Sequence, residues 1–287
     1  MKKGQYKIGV AGVGMVGVQA ERWFKSKGFE VFAYDKFKNI GKEEDLQKAD
    51  LIFLCLPTPH KDKVNTGVDI SVFFDFLKKF KEPKIFVIKS TVPPGATEAI
   101  QKKFPKHKFL HSPEFLTEAT AWKDFSKPVF QLLGYTEKSK DVAQNVLDIL
   151  PRSKKTNLLM KSSETEVFKF ARNAFFAVKV VFANQIYDIC KSFGGDYDII
   201  KNLMLSDPWI GGHHLEVIHK GYRGFGGKCL PKDLKTFIKV FKTKKLKPEL
   251  FEATDRINDG LIKKQKLTKT LNKYWLGNYN EPDLVKF

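Results

Sequence analysis

The sequence predicts an α/β fold: a doubly wound parallel sheet, then a long central helix and a helical second domain. Three observations carry that prediction. Apolar strand-like runs alternate with amphipathic helical runs through the first half of the chain. A glycine-rich turn joins the first strand to the first helix, and one unbroken helical pattern opens the second half.

YKIGVAG reads as a buried strand that runs directly into GVGMVG. Gly12, Gly14 and Gly17 make G-x-G-x-x-G ahead of the helical VQAERWFKSKG. Such glycines allow a tight turn, close approach of the backbone to a pyrophosphate, and close helix–strand packing. Met15 and Val16 lie within the turn, so the backbone N–H groups of Gly14, Met15, Val16 and Gly17 can face the phosphates. The next strand, EVFAY, ends on Asp35. A carboxylate there accepts from the adenosine ribose hydroxyls and repels the extra phosphate of NADP, so this Rossmann-type pattern favours NAD. Lys36, next to it, pulls the other way.

ADLIFLCLP is a continuous apolar strand, as a sheet covered on both faces requires. ISVFFDFLKKF is an amphipathic helix and KIFVIKS the following strand. Ligand-binding loops of such sheets sit at the carboxyl ends of the strands. Pro57-Thr58-Pro59 and Ser90-Thr91-Val92-Pro93-Pro94-Gly95 fall there. Turn chemistry accounts for the prolines; Thr58 and Thr91 are expected at the cofactor.

Ser163-Glu164-Thr165-Glu166 reads as a capping box. It opens EVFKFARNAFFAVKVVFANQIYDIC, apolar almost all round and therefore expected to be buried. At about 100° per residue, Glu166, Lys169, Asn173 and Asn184 share one stripe. Lys169 and Asn173 are one turn apart and can serve one ligand; a Lys169–Glu166 pair is the structural alternative. Asn184 lies roughly 16 Å beyond Asn173 and is expected to be a structural hydrogen-bonder. Lys179 is expected at the surface.

In PKDLKTFIKVF, Leu234, Phe237, Ile238 and Phe241 recur at helical spacing, and Pro231 suits the first helical position. Cys229 thus stands just ahead of a helix N-terminus, with Arg223, Lys228 and Lys232 close in sequence, a setting that favours the thiolate. The glycines before it would let a substrate approach closely. Cys229 reads as a nucleophile. Joined to a nicotinamide site, it implies one chemistry: an alcohol is oxidised to an aldehyde, the thiolate captures it, the adduct is oxidised, and water releases a carboxylate.

Composition narrows the alternatives. The 287 residues are 42% hydrophobic, enough for a sizeable core, and no apolar run approaches the roughly 18 residues of a membrane span. The first twenty residues imitate a signal peptide, but the glycine pattern claims the same positions. The charge of +19 is scattered over nearly every segment, which reads as a solvated lysine surface and not as a nucleic-acid stripe. Cys55, Cys190 and Cys229 show neither a disulfide framework nor metal-ligand spacing, and His213, His214 and His219 add none. A reducing, cytoplasmic setting without a metal is the expectation.

The stretches GVGMVG, AYD, LPTP, KSTVPPGAT, SPEFLTEATAWKDF, ETEVFKFARNAF and GFGGKCLPKDL, in that order, resemble the UDP-glucose/GDP-mannose dehydrogenase family over about residues 6–260. The resemblance implies oxidation of a nucleotide-sugar CH₂OH to a uronate with two NAD⁺, UDP-glucose foremost, by a homodimer built on the helical region. It implies an NAD-binding domain over 1–161 and a central helix with a helical dimerisation and substrate domain over 162–287. By the same resemblance Cys229 is the nucleophile, Lys169 and Asn173 stabilise the oxyanion and position water, and Glu114 is the base for thioester hydrolysis. Asp233 assists near the thiol, Glu118 and Thr91 lie by the nicotinamide, and Lys232 reaches the cofactor. Glu114, Lys169, Asn173, Arg223 and Gly226 lie along the substrate.

Two departures stand out. Family members usually continue into a further nucleotide-binding domain, whereas KQKLTKTLNKYWLGNYNEPDLVKF brings no new glycine-rich strand, which reads as a short form. Many members also carry an arginine in an R-I-G segment where this chain has Trp209-Ile210-Gly211. The rivals are a two-electron β-hydroxyacid dehydrogenase-like enzyme, which needs a lysine but no cysteine, and a non-catalytic relative that binds cofactor or nucleotide sugar.

Overall fold

The computed structural model describes residues 6–61, 63–227, 229–268 and 271. Two compact units divide the chain: Met1–Thr58 with Asp69–Lys169, and Pro59–Val68 with Phe170–Phe287. Lys228, expected beside the thiol, and residues 272–287 lie outside the described residues.

The first unit is a seven-stranded sheet in the order β2-β1-β3-β4-β5-β6-β7. Its strands are β1 (Ile8–Ala11), β2 (Val31–Tyr34), β3 (Leu51–Leu54), β4 (Ile85–Ile88), β5 (Lys108–His111), β6 (Phe130–Tyr135) and β7 (Thr156–Lys161). The first five are parallel, β6 runs antiparallel to β5, and β7 is parallel to β6. Strands β1, β3 and β4 are apolar without interruption because both of their faces are covered. Ile52 and Leu54 of β3 pack on one side with Phe73, Phe86, Ile100 and Phe109. Leu51 and Phe53 face the other side with Ala20, Phe24, Val87 and Val146. The period of two in a strand thus sorts one run of hydrophobic residues into two cores. Covering helices are α1 (Met15–Ser26), α2 (Ser71–Leu77), α3 (Ala96–Lys103), α4 (Ala121–Ser126) and α5 (Lys140–Ile149).

Helix α6 (Ser162–Ser192) begins in the first unit and continues in the second. The unit boundary falls at Lys169/Phe170, not at 161/162 as expected, because the first two turns of α6 are fastened to the sheet. Thr165 Oγ1 lies 2.7 Å from His111 Nδ1 on β5, and a Cβ at Gly134 on β6 would come within 2.4 Å of Thr165 Oγ1. The expected capping box is displaced by one to two residues. Glu164, not Glu166, reaches back, accepting from the Lys161 N–H at 2.7 Å. Glu166 instead accepts from the N–H of Gly95 and Thr97 and from the Thr97 hydroxyl, at 2.5–2.8 Å, and so caps α3.

The second unit contains the rest of α6, α7 (Tyr197–Ser206), the short hairpin β8 (Ile218–His219) and β9 (Tyr222–Arg223), α8 (Leu230–Thr243) and α9 (Glu249–Lys264). Phe170, Ala174, Ala177 and Val181 of α6 pack against Phe225, Leu234, Phe237 and Ile238. Only one side of α6 is buried this way. Phe175, Phe182 and Ile189 are 58%, 46% and 53% exposed, so the expectation of an all-round buried helix is corrected. Phe170, Ala174, Ala177 and Val181 face the core, whereas Phe175, Phe182 and Ile189 on the opposite side are left uncovered among the described residues.

Candidate functional site

The carboxyl ends of β1, β3, β4 and β5 lie along one edge of the sheet, and the strand order reverses at β1. That is where an open α/β sheet offers a crevice to a ligand. Gly12 follows β1 with φ +88°, and a Cβ there would stand 2.5 Å from the Cys55 carbonyl oxygen. A Cβ on Gly17 would stand 1.8 Å from the Gly12 carbonyl oxygen. Both positions therefore require glycine. Gly14 differs: a Cβ there would meet nothing within 4 Å, and Gly14 caps α1 without a side-chain hydrogen bond. No acidic residue occupies the first turn of α1, so its backbone N–H groups face an open, neutral approach, as a pyrophosphate needs. Asp35 braces the same turn, its Oδ2 accepting from Val13 N–H at 2.8 Å and its Oδ1 from Phe37 and Lys38 N–H. Three acceptor positions are filled, which leaves capacity for a ribose hydroxyl. Lys38 Nζ donates to the Val13 carbonyl at 2.8 Å, so Lys38, not Lys36, is the basic side chain against the loop. These residues fit NAD.

Further along the edge, Thr58 and Thr91 are half-buried in the loops after β3 and β4, and Glu118 is exposed in the loop before α4. Glu114, after β5, is held at both carboxylate oxygens. Oε1 accepts from Phe115 N–H at 3.0 Å, and Oε2 lies 3.0 Å from Lys89 Nζ. Lys169 Nζ donates to the Glu114 carbonyl at 2.6 Å and lies 5.1 Å from the Phe115 ring centre. Glu166, bound to α3, thus leaves Lys169 with Glu114. One ammonium thus meets the Glu114 carboxylate and a second its backbone carbonyl, which suits a site where negative charge develops. Around them burial lowers His111 to about 3, with Lys89 and Lys169 adding to the effect, so its ring is neutral at pH 7. Cys55 keeps some accessible surface, yet the sulfur's desolvated setting pushes its thiol up to about 12. That cysteine is inert.

The second unit carries the other predicted residues. Cys229 is exposed and caps α8; its carbonyl accepts from Asp233 N–H at 2.8 Å. Pro231 is the second helical residue, not the first, because the helix opens at Leu230. Asp233 is buried one turn after the thiol. Its Oδ2 accepts from Asn173 Nδ2 at 2.6 Å and its Oδ1 lies 2.8 Å from Lys232 Nζ. Lys232, expected at the cofactor, lies within ion-pair distance of Asp233 without a hydrogen bond between them. Asn173 reaches from α6 to α8, a bond between side chains 60 positions apart that fixes both.

Two expectations change here. Arg223, expected beside thiol and substrate, stacks on Tyr187 at 4.6 Å, donates to the Asn184 side chain at 2.9 Å and pairs with Asp188 at 2.7 Å. Its guanidinium is engaged with the far half of α6, and buried Asn184 is the structural hydrogen-bonder expected. Gly226, expected along the substrate, is enclosed by its own chain: a Cβ would stand 2.6 Å from the Tyr222 hydroxyl and 3.1 Å from Leu271. At Gly224 it would stand 2.7 Å from Asn258 Oδ1. The open glycine is Gly227, with φ +76° and nothing within 4 Å. Lys179 is not a bare surface lysine, since it donates to the carbonyls of Ile210 and Gly211.

Comparison with known proteins decides the family. Residues 36–150 match the UDP-glucose/GDP-mannose dehydrogenase family NAD binding domain, and residues 163–260 match the same family's central domain. The chain belongs to the UDP-glucose/GDP-mannose dehydrogenase family. Its cofactor is NAD. The putative UDP-glucose 6-dehydrogenase YtcA of Bacillus subtilis is 28% identical over 292 residues, covering 88% of this chain and 67% of the relative. The UDP-glucose 6-dehydrogenase AglM of Haloferax volcanii is 30% identical over 251 residues, covering 80% and 57%. Curated relatives are thus matched over about half to two thirds of their length. A UDP-glucose dehydrogenase from Pyrobaculum islandicum superimposes with a TM-score of 0.79 at 25% identity, covering 93% of this chain and 71% of that one.

Lys89 escaped the sequence reading. The signal was there: KIFVIKS is an apolar strand that ends on a lysine, in a segment where a surface charge has no solvent to reach.

Proposed function

We propose that this chain oxidises the C6 alcohol of a nucleotide sugar, UDP-glucose foremost, to a uronate through a covalent thioester on Cys229. The observation that carries the proposal is an exposed cysteine at the start of α8, one turn from a buried Asp233 that is itself fixed by Asn173. Gly12, Gly14, Met15, Val16, Gly17 and Asp35, with Thr58, Thr91 and Glu118, would hold NAD, which would supply the hydride acceptor for both oxidations.

The first oxidation takes a hydride from the alcohol carbon and releases the hydroxyl proton, two electrons and two protons in all, and leaves an aldehyde. The Cys229 thiolate adds to the aldehyde carbon, forming a C–S bond and an oxyanion. The Lys169 ammonium and the Asn173 amide, one turn apart on α6, suit that oxyanion. Oxidation of the adduct yields the thioester. Glu114 then takes a proton from water, which attacks the thioester carbonyl; the C–S bond breaks, and the thiolate and the carboxylate separate. Asp233, beside the thiol, would orient that water. The proposal predicts a uronate of the offered sugar by mass spectrometry after incubation with NAD, and an acyl adduct on Cys229 in quenched protein. Absence of both while NAD binds would favour a non-catalytic relative.

The partner we propose is a second copy of the chain. Phe175, Phe182 and Ile189 recur every seven residues on the exposed side of α6, and Ile199 and Leu203 of α7 are also exposed. Sedimentation should give a dimer that Phe182→Glu dissociates; an unchanged sedimentation coefficient would place the interface elsewhere. Among the described residues no helix is long and apolar enough to cross a membrane. Three cysteines without a disulfide framework fit a reducing, cytoplasmic setting.

A further inference from the structure

Lys89 is a buried charge that the reaction scheme leaves unused. It follows β4, and its backbone N–H continues the ladder by donating to the Leu54 carbonyl at 2.9 Å. The side chain is 3% exposed and lies over the Phe125 ring at 5.4 Å. Its Nζ reaches Glu114 Oε2 at 3.0 Å and donates to Ser112 Oγ at 3.3 Å, and Gln131 Nε2 donates to the same hydroxyl at 3.2 Å. An ammonium held away from water is unfavourable unless its partners are well placed, and an apolar side chain of the same length would avoid the desolvation altogether. The pairing therefore calls for an explanation beyond packing.

Glu114 supplies it. Its side chain is 15% exposed in a loop with no strand to hold it. Lys89 anchors one oxygen from the rigid end of β4, and the Phe115 N–H holds the other. With Oε2 on Lys89, the remaining acceptor capacity of Oε1 is aimed in one direction. We infer that Lys89 is a positioning residue: it fixes the carboxylate of Glu114 for proton transfer from the hydrolytic water, without touching the reacting atoms itself. The inference rests on Glu114 being the base for thioester hydrolysis.

The test uses the full chain with UDP-glucose as the probe and four proteins: unsubstituted, Lys89→Met, Glu114→Gln and the double variant. Stopped-flow NADH absorbance follows the oxidations, and intact mass of quenched samples follows the thioester on Cys229. Lys89→Met should keep the NADH burst, accumulate thioester, and hydrolyse it roughly tenfold to hundredfold more slowly. Adding Lys89→Met to Glu114→Gln should slow hydrolysis little further, because both changes disable one group. Should Lys89→Met fail to fold, Lys89→Arg, which keeps the charge but moves the donor, should show the same slow hydrolysis with the burst retained. Multiplying effects in the double variant, or equal slowing of burst and hydrolysis, would overturn the role of Lys89 alone. Normal hydrolysis in Glu114→Gln would remove the base and this inference with it. No NADH from the unsubstituted protein would overturn the thioester reading as a whole.

Discussion

The two units build their candidate residues in opposite ways. Around Glu114 the chain uses strand ends, buried charge and paired donors, so both carboxylate oxygens are held. Around Cys229 it uses a loop of glycines and a helix cap position that is itself exposed. The two cysteines make the same contrast in miniature. Cys55, at the rigid sheet edge, has its thiol pushed up to about 12 and has no chemistry to offer at neutral pH. Cys229 is an exposed residue whose backbone carbonyl is fixed by the Asp233 N–H. The difference teaches a division of labour: a base has to be aimed, whereas a nucleophile has to be reachable.

The sharpest way to break the comparison is to exchange one sulfur for oxygen in each half. Cys229→Ser should reduce uronate formation by roughly 10³-fold or more, while Cys55→Ser, measured in the same assay, should leave it within a few-fold. Comparable losses in both would erase the distinction. Next in size is Gly17→Ala, which would set a methyl carbon 1.8 Å from the Gly12 carbonyl oxygen and force the turn apart. Titration calorimetry should show NAD affinity reduced at least about tenfold, or ~1.4 kcal/mol, whereas Gly14→Ala, with open space at its Cβ, should bind far closer to the unsubstituted protein. Asn173→Ala removes the donor to buried Asp233 and should lower the denaturant-derived stability by about 1–3 kcal/mol.

The smallest effect concerns pH. His111 has a folded value near 3 against an ordinary 6.5, so the unfolded chain binds the extra proton between those values. The stability from its burial is complete above pH 6.5 and is lost as the pH falls toward 3. His107 and His214, each lowered to about 4 by burial, act in the same direction. His111→Gln should therefore flatten the fall of stability between pH 6 and 4 by up to ~1.4 kcal/mol per pH unit. An unchanged slope would mean that the ring titrates in the folded protein.

Much of the first unit was legible because its signals are local. A strand, G-x-G-x-x-G and a helix are consecutive in the chain, and Asp35 follows β2 directly. Cys229 was legible for the same reason, since a helix start can be read from Pro231 and the spacing of Leu234, Phe237 and Ile238. What escaped depends on partners far apart in sequence. Glu166 looked like a cap for its own helix and instead caps α3, some 70 residues earlier. Arg223 stood six residues before Cys229, yet Asp188 and Asn184 claim it. Gly226 looked open and is enclosed by Tyr222 and Leu271, while Gly227 beside it is open. Lys89 was passed over because a lysine at a strand end is ordinarily a surface residue, and nothing local announces that Glu114 comes back to meet it.

The measurement that bears most directly on the central claim is the number of NADH formed per nucleotide sugar consumed, in the unsubstituted protein and in Cys229→Ser. Two NADH per sugar, with no uronate from the serine variant, is the predicted result. One NADH per sugar, with Cys229→Ser as active as the unsubstituted protein, would contradict it and leave a two-electron dehydrogenase that has no use for the thiol.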